Sequence, residues 1–387
     1  MATPKLRFKE FDTSWKRKSL GDITSKIGSG STPRGGSKAY TEDGVIFIRS
    51  QNVNNNQLIL ENIVYIPQET HIKMSGSKVV ANDILLNITG ASIGRSCVVP
   101  SNFNEGNVNQ HVCIIRSQSH DPLFIQSFLS SKKGQNAIQS KQTGSGREGI
   151  NFQAIRSIDF DLPTKEEQTK IATFLSAVDT KIDELTQKHE LLSEYKKGMM
   201  QQLFSQKIRF KADDGSDFED WEENNLGKIC SHFKSGKSIT SRNISTSGKF
   251  PVYGGNGLRG YTDSFTHEGK FILVGRQGAL CGNVNVVDGS NYISEHAIAI
   301  QANKNNSTDW LAYWLDKMKL NRFSESSAQA GLAVNKLVKF KIELPSLPEQ
   351  TKIANFLTAI DQKIDNVAEQ IDQAKTWKKG LLQQMFV

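Results

Sequence analysis

The chain is short of everything that would make it a membrane protein, a metalloprotein or a self-contained enzyme. No apolar run approaches the ~20 residues that a membrane-crossing helix requires. The opening Met1-Ala2-Thr3-Pro4-Lys5-Leu6-Arg7 lacks the apolar centre of a signal peptide, so a cytoplasmic location is expected. The four cysteines, Cys97, Cys113, Cys230 and Cys281, form no CxxC pair and no Cys/His cluster. They read as reduced, mostly buried small apolar residues, and no metal site is expected. No GxGxxG turn follows a strand pattern, and neither a GxSxG elbow nor an HExxH helix occurs. The tetrapeptide of adjacent prolines and an aromatic that marks amino-methylating enzymes is also missing. Ser235-Gly236-Lys237-Ser238 resembles the end of a phosphate-binding loop, but the glycine such a loop needs first falls on Ser231. No catalytic residue and no cofactor site is expected in this chain.

What is there is basic and long. The 387 residues carry 48 Lys and Arg against 40 Asp and Glu, a formal charge of +8. That balance favours a polyanionic partner, of which nucleic acid is the obvious one. The length suggests about two or three domains, and 37% hydrophobic with 8% aromatic residues suffices to build their cores.

The chain repeats itself. Leu162-Pro163-Thr164-Lys165-Glu166-Glu167-Gln168-Thr169-Lys170-Ile171-Ala172 returns as Leu344-Pro345-Ser346-Leu347-Pro348-Glu349-Gln350-Thr351-Lys352-Ile353-Ala354. The match continues without a gap to Lys196-Lys197-Gly198 and Lys378-Lys379-Gly380, ending at Phe204 and Phe386. About half of roughly 43 positions are identical, which chance does not produce. Upstream, Lys5-Leu6-Arg7-Phe8-Lys9 and Trp15 are echoed by Lys207-Ile208-Arg209-Phe210-Lys211 and Trp221, at an offset about 20 residues larger. The first globular part is therefore the longer, and the two are otherwise dissimilar.

Each repeated segment reads as one helix of ~40 residues, about 60 Å long. Thr164 with Glu167 and Ser346 with Glu349 fit capping boxes at its start. Leu175, Val178, Ile182, Leu185, His189, Leu192, Lys196, Met199 and Leu203 follow an alternating three-four spacing. Leu357, Ile360, Ile364, Val367, Ile371, Ala374, Lys378, Leu381 and Met385 hold the same register. That is a coiled-coil seam, and antiparallel pairing would let a tandem repeat adopt an approximate two-fold axis. Lys196 and Lys378 interrupt the seam, either as snorkelling stems or, with Lys197 and Lys379, as contacts to a partner or to phosphate. Gly198 and Gly380 mark either the end of the seam or a close approach by a partner.

The globular parts read as mixed α/β. Val45–Ile48, Asp83–Ile88, Ser96–Val99 and His111–Ile115 look like strands, with a helix from Pro122 to Ser130. Phe271–Val274, Val284–Val287 and Ala297–Ile300, then a helix from Asp309 to Met318, repeat that order. The fold class expected is α+β: two tandem recognition domains (1–161 and 207–343) carried on a central helical segment (162–206) and a C-terminal one (344–387).

Small and polar loops punctuate the heads, and they supply the DNA-binding candidates. Gly28-Ser29-Gly30-Ser31-Thr32-Pro33-Arg34 stands at the place of Ser235-Gly236-Lys237-Ser238, and such loops can bring backbone N–H groups to phosphates. Arg49-Ser50-Gln51-Asn52-Val53-Asn54-Asn55-Asn56 offers side chains whose forks match guanine and adenine edges. Gly90-Ala91-Ser92-Ile93-Gly94-Arg95 aligns with Gly275-Arg276-Gln277-Gly278-Ala279-Leu280, and Gln142-Thr143-Gly144-Ser145-Gly146-Arg147 aligns loosely with Ala328-Gln329-Ala330-Gly331. Ser29, Ser31, Thr32, Arg34, Arg49, Gln51, Asn52, Arg95 and Arg147 are the candidates of the first head; Lys234, Lys237, Arg242, Arg259, Arg276 and Gln277 are those of the second.

The doubled Leu-Pro-x-x-x-Glu-Gln-Thr-Lys-Ile-Ala segment, the Lys-Lys-Gly-x-x-Gln-Gln-x-Phe helix end and the Gly-Ser-Gly-Ser-Thr-Pro loop resemble the specificity subunits of type I restriction-modification systems. The resemblance covers essentially the whole chain. It implies two target-recognition domains, each reading one half of a split double-stranded DNA site, with two antiparallel helices as a ruler. It also implies assembly with two methyltransferase subunits and two motor-nuclease (restriction) subunits. S-adenosylmethionine, ATP and magnesium would be held by those partners. The loop at Ser235-Gly236-Lys237-Ser238-Ile239-Thr240 departs from the family by lacking the proline. Two rival classes are a self-sufficient methyltransferase and a coiled-coil adaptor that never touches DNA.

Overall fold

A computed structural model describes residues 4–33, 35–143, 148–278, 280–324 and 331–386. The chain folds as two compact units, Met1–Thr186 with Glu369–Val387, and Gln187–Ala368. Two long helices, the central Lys165–Phe204 and the C-terminal Leu347–Met385, run through this division. Each unit therefore holds a globular head and an antiparallel pair of half-helices.

The head of the first unit is built on a four-stranded antiparallel sheet in the order Lys26–Ser29, Val112–Arg116, Ile84–Asn87, Ser96–Val98. Its strands are apolar on both faces, so neither face can be left in water. Ile84, Leu86, Cys113 and Ile115 point into a core with Phe124, Phe128 and Phe160. Their neighbours Leu85, Val112 and Ile114 point the other way, into a smaller core with Ile48, Val53 and Val108. The period-two alternation of a strand divides one run of residues between two cores. Beyond the smaller core lies a second four-stranded sheet, Val64–Ile66, Val45–Ile48, Gly106–Val108 and Lys78–Val79, whose two middle strands are parallel.

The head of the second unit repeats that topology with different residues. Cys230–Ser235, Ala297–Ala302, Phe271–Gly275 and Val284–Val287 form its central sheet in the same order. Ile272, Val274, Ile298 and Ile300 face a core holding Trp310, while Phe271, Leu273, Ala297 and Ala299 face a smaller one with Ile293. The second sheet, Gly257–Thr262, Phe250–Gly254, Ser290–Ile293 and His267–Glu268, again has a parallel middle pair. The strand and helix expectations hold in both heads. The weaker strands Lys26–Ser29, Gly106–Val108, Phe250–Gly254 and Ser290–Ile293 carry glycine, proline or polar residues and gave no clear periodicity.

The duplicated Glu-Gln pair is the joint between head and helix. Glu167 is fully buried, and its carboxylate accepts both forks of Arg7, at 2.7 and 2.8 Å. In the second unit Glu349 accepts Arg209 at 3.1 and 2.9 Å, and the Trp221 indole N–H donates to it at 3.1 Å. Each carboxylate thus holds the segment leading into its own head, rather than returning to the helix start as a reciprocal capping box would. The Thr164 hydroxyl still accepts the Glu167 N–H (3.4 Å), whereas the Ser346 hydroxyl is buried without a partner among the described residues. The neighbouring glutamine completes the joint. Gln168 donates to the Pro163 carbonyl (2.9 Å) and accepts the N–H of Asp121 (3.0 Å), which caps the helix Pro122–Ser130. Gln350 does the same with Pro345 (2.8 Å) and Ser307 (2.8 Å), the cap of Thr308–Lys317.

The seam residues are packed as their spacing predicts. In the first unit Leu175, Val178 and Ile182 join the core shared with Leu381, Met385 and Phe386; Leu185 and Ile371 are buried, the latter at 9% exposure. In the second unit Leu357, Ile360 and Ile364 pack with Met200, Leu203 and Phe204; Val367 is buried and Leu192 half-buried. Lys197 and Lys379 are exposed, and beyond the helix's own adjoining turns no described atom comes within 4 Å of a Cβ built on Gly198 or Gly380. All four cysteines are free thiols, three of them buried, and burial pushes those of Cys97 and Cys113 up to about 12. Among the described residues no helix is long and apolar enough to cross a membrane.

Candidate nucleic-acid interface

The loops singled out from the sequence gather at one end of each central sheet. In the first head the pairings Ser29 with Cys113, Asn87 with Val112 and Ser96 with Leu86 bring the ends of all four strands level. From that edge project the loops after Ser29, before Val112 and between Asn87 and Ser96. The Asn87 amide donates to the Ser50 carbonyl (2.9 Å), adding the 49–52 turn. The bridge between Thr89 and Gly149 adds the segment flanking 144–147. In the second head Ser235 with Ile298, Gly275 with Ala297 and Val274 with Val284 define the same edge.

The glycines of the small-residue loops have a packing reason. A Cβ on Gly30 would sit 1.7 Å from the Val108 carbonyl oxygen, and one on Gly236 would sit 2.3 Å from that of Ile293. Both loops cross directly over the end of the inner parallel strand, where only a hydrogen fits. Their N–H groups are also engaged, Gly30 with the Asn109 carbonyl (3.2 Å) and Gly236 with that of Ala297 (3.0 Å). The expected phosphate cradle is therefore not formed by these two amides. Ser31 and Thr32 are exposed, with the Thr32 hydroxyl donating to Gln110 Oε1 (2.5 Å), and Ser29 is half-buried. Arg34 and Arg147 lie outside the described residues, as do 144–146, Ala279 and 328–330.

The polar run from Arg49 to Asn56 divides three ways. Asn52 is 1% exposed: its oxygen accepts the Arg49 N–H (3.0 Å) and its amide donates to the Ile59 carbonyl (2.9 Å). With both ends of its amide used inside the turn, it shapes the loop and is not available to a base. Arg49 donates to the Asn62 carbonyl (3.2 Å) and lies over the Tyr40 ring, while Gln51 is exposed. Asn55 and Asn56, both at positive φ, close the hairpin Val53–Asn54/Gln57–Leu58, the tight turn asparagine favours. That hairpin faces the central helix. Asn56 accepts from Gln126 (3.0 Å) and Ser130 (2.9 Å), and the Gln57 amide donates to Asp183 (2.6 Å). Burial raises the pKa of Asp183 above the usual carboxylate range, with Asp179 adding to the effect and Gln57 opposing it. In the second unit the head meets the seam through Tyr313, whose hydroxyl donates to Asp361 (2.7 Å) and whose pKa burial pushes up.

Among the described residues the guanidinium groups of Arg95, Arg242, Arg259 and Arg276 make no hydrogen bond or ion pair. Arg95 is exposed in its loop, Arg276 is half-buried, and Gln277 is exposed beside its bridge to Gly331. Arg259 lies against Gly254, its Cδ 2.8 Å from where a Cβ would stand. Lys237 leaves the sheet edge, with its N–H on the Ile293 carbonyl (2.9 Å), whereas Lys234 is one residue back within the strand. Arg242 sits in the exposed turn Ser241–Asn243, outside the bonds that join the other loops.

Hydrogen bonding also corrects the alignment of the two heads. Gly94 and Gly282, both at positive φ, donate to Asn87 and Gly275 at 3.0 and 2.8 Å. Gly90 thus corresponds to Gly278, and Ile88 to Arg276: Ile88 and Arg276 donate to the carbonyls of His111 and His296, each at 3.0 Å. The sequence match had set Gly90 against Gly275, three residues out of register, because it aligned glycines by identity and not by the turn that needs them. The corrected frame reveals two pairs that sequence reading missed, Gln110-His111 and Glu295-His296, just before the strands at Val112 and Ala297. The signal was present as a polar-His step before two strands of alternating apolar residues.

With two heads of one topology, each mounted on one copy of a duplicated helix, the comparison with known proteins decides the family. The type I restriction modification DNA specificity domain matches residues 13–193 and 218–376. The chain belongs to that family. It is 29% identical over 357 residues to the type I restriction enzyme EcoprrI specificity subunit of Escherichia coli, covering 88% of this chain and 86% of that one. It is 26% identical over 347 residues to the MjaVIII specificity subunit of Methanocaldococcus jannaschii, covering 80% of each. A crystal structure of a type I restriction-modification S subunit from M. genitalium superposes with a TM-score of 0.69 over 100% of this chain and 99% of that one, at 19% identity, and so shares the fold.

Proposed function

We propose that this family member gives a type I restriction-modification complex its DNA sequence selectivity, each head contacting one half of a divided double-stranded site. The observation that carries the reading is the gathering of Thr32, Gln51 and Arg95 in one head, and of Lys237, Arg276 and Gln277 in the other, at equivalent ends of equivalent sheets. Such an array supplies cations for phosphates and amide forks for base edges. The exposed seam flanks, Lys197 and Lys379 among them, would dock two methyltransferase subunits, with two restriction subunits joining for cleavage. In this reading S-adenosylmethionine, ATP and magnesium are bound by those partners, and this chain selects the site without performing chemistry.

The long helices would set the distance between the two half-sites. Inserting one heptad into both helices adds about 10 Å, which corresponds to ~3 base pairs of spacer. Methylation mapping with the assembled complex should show a longer spacer between unchanged half-sites, and an unchanged spacer would refute the ruler. The full chain should also lose DNA affinity steeply with salt through counterion release; absence of any DNA complex at low salt would overturn the proposal as a whole.

A further inference from the structure

The corrected frame places Gln110 and Glu295 at the same point of the two heads, one residue before the histidine whose carbonyl anchors the next loop. Both side chains are steered sideways. Gln110 Oε1 accepts the Thr32 hydroxyl (2.5 Å), and its Nε2 lies 3.1 Å from His111 Nε2, which is joined through Nδ1 to Thr89 (2.7 Å). Glu295 Oε2 accepts the Ile239 N–H (3.2 Å), and its Oε1 lies 3.5 Å from His296 Nε2. A primary amide has two N–H donors and two acceptor sites, so Gln110 keeps one of each free. A carboxylate only accepts, so Glu295 offers acceptors and nothing else.

That difference has a consequence for what each head can meet. Glu295 stands in a loop cluster with Lys237 and Arg276, on the edge from which phosphate contacts would come. A carboxylate there is repelled by phosphate, and the base-edge groups it can accept from are the exocyclic amino groups. We propose, resting on the DNA-reading function above, that Gln110 and Glu295 are the equivalent base-edge readers of the two heads. Glu295 takes the N4 amino group of cytosine, and Gln110 takes the N7 and N6 edge of adenine. At this one position of a shared His-anchored frame the two heads then differ in specificity by an amide-to-carboxylate exchange.

The test is selection of bound duplexes from a randomised pool by the full chain, as wild type, Glu295→Gln and Gln110→Glu. Wild type should enrich a divided site. Glu295→Gln should change the preference at one base pair of one half-site by about tenfold, leaving the other half intact, and Gln110→Glu should do the reverse. Unaltered preferences in both variants, or a uniform loss of affinity across all sequences, would overturn the assignment. The two residues lie in different heads, so if one variant unfolds in a thermal melt the other still decides. A wild-type chain that enriches no sequence would instead refute the DNA-reading function itself.

Discussion

Lys196 Nζ lies 2.5 Å from Asp361 Oδ1 where the two long helices face each other in the second unit. The duplicate pair, Lys378 with Asp179, makes the same contact in the first. The lysines that interrupt the apolar seam are thus neither idle stems nor free cations. Each is matched, on the opposite helix, by the aspartate that stands 17 residues earlier in the repeat frame, since Asp179 and Asp361 are themselves one repeat apart. Lys196 also lies 5.1 Å from the Tyr313 ring, so this pair ties a head helix to the seam.

Breaking either pair should cost about 1 kcal/mol, because the groups are only partly buried. Asp361→Ala and Lys196→Met should each lower the denaturant midpoint, and a double-mutant cycle should return a coupling of about 0.5–1 kcal/mol. A cycle that closes to zero would reduce the contact to coincidence.

A larger effect is expected at the joint. Arg7→Ala leaves the fully buried Glu167 carboxylate without its guanidinium, at a cost of about 3–5 kcal/mol. Replacing Arg7 and Glu167 together with apolar residues should recover much of that loss. Arg209→Ala should be milder, since the Trp221 N–H still reaches Glu349. Chemical unfolding of the three variants orders them; equal losses at both joints would contradict the assignment of Trp221.

Two glycines two residues apart should behave oppositely. Gly30→Ala drives a methyl into the Val108 carbonyl and should destabilise the first head by about 3 kcal/mol. Gly28→Ala meets nothing within 4 Å and should fold as wild type. Thermal melts decide this, and a stable Gly30→Ala protein would mean that the loop crosses elsewhere.

Acid should weaken the second unit through His267. Burial, with help from His232 and Lys237, pushes its pKa down to about 4, against about 6.5 in the unfolded chain. The unfolded state therefore binds the proton first, and stability falls as pH drops from 6.5 towards 4, then levels off from this source. His267→Gln should show a shallower loss between pH 7 and 4.5 than wild type in parallel melts. An identical slope would place the acid sensitivity elsewhere.

The long helices, their seam and the order of strands and helices were legible in the amino-acid sequence. Periodicity is a local signal, and the 182-residue repeat printed it twice. The candidate loops were legible only as composition, and composition does not say which way a side chain turns. Asn52 reads like Gln51 in the sequence, yet one is spent inside its own turn and the other is exposed. Asn56, at the end of the same polar run, is bonded to the head helix Pro122–Ser130, and the adjoining Gln57 reaches the central helix.

From the sequence alone follow two heads on one duplicated helical frame, because helix period, capping chemistry and repetition are carried by neighbours along the chain. Tertiary structure alone decided that Glu167 and Glu349 hold Arg7 and Arg209, that Gly30 and Gly236 are demanded by crossing strands, and that Gln110 corresponds to Glu295. Each of those depends on atoms brought together from distant parts of the chain, and such encounters are set by packing that no local pattern encodes.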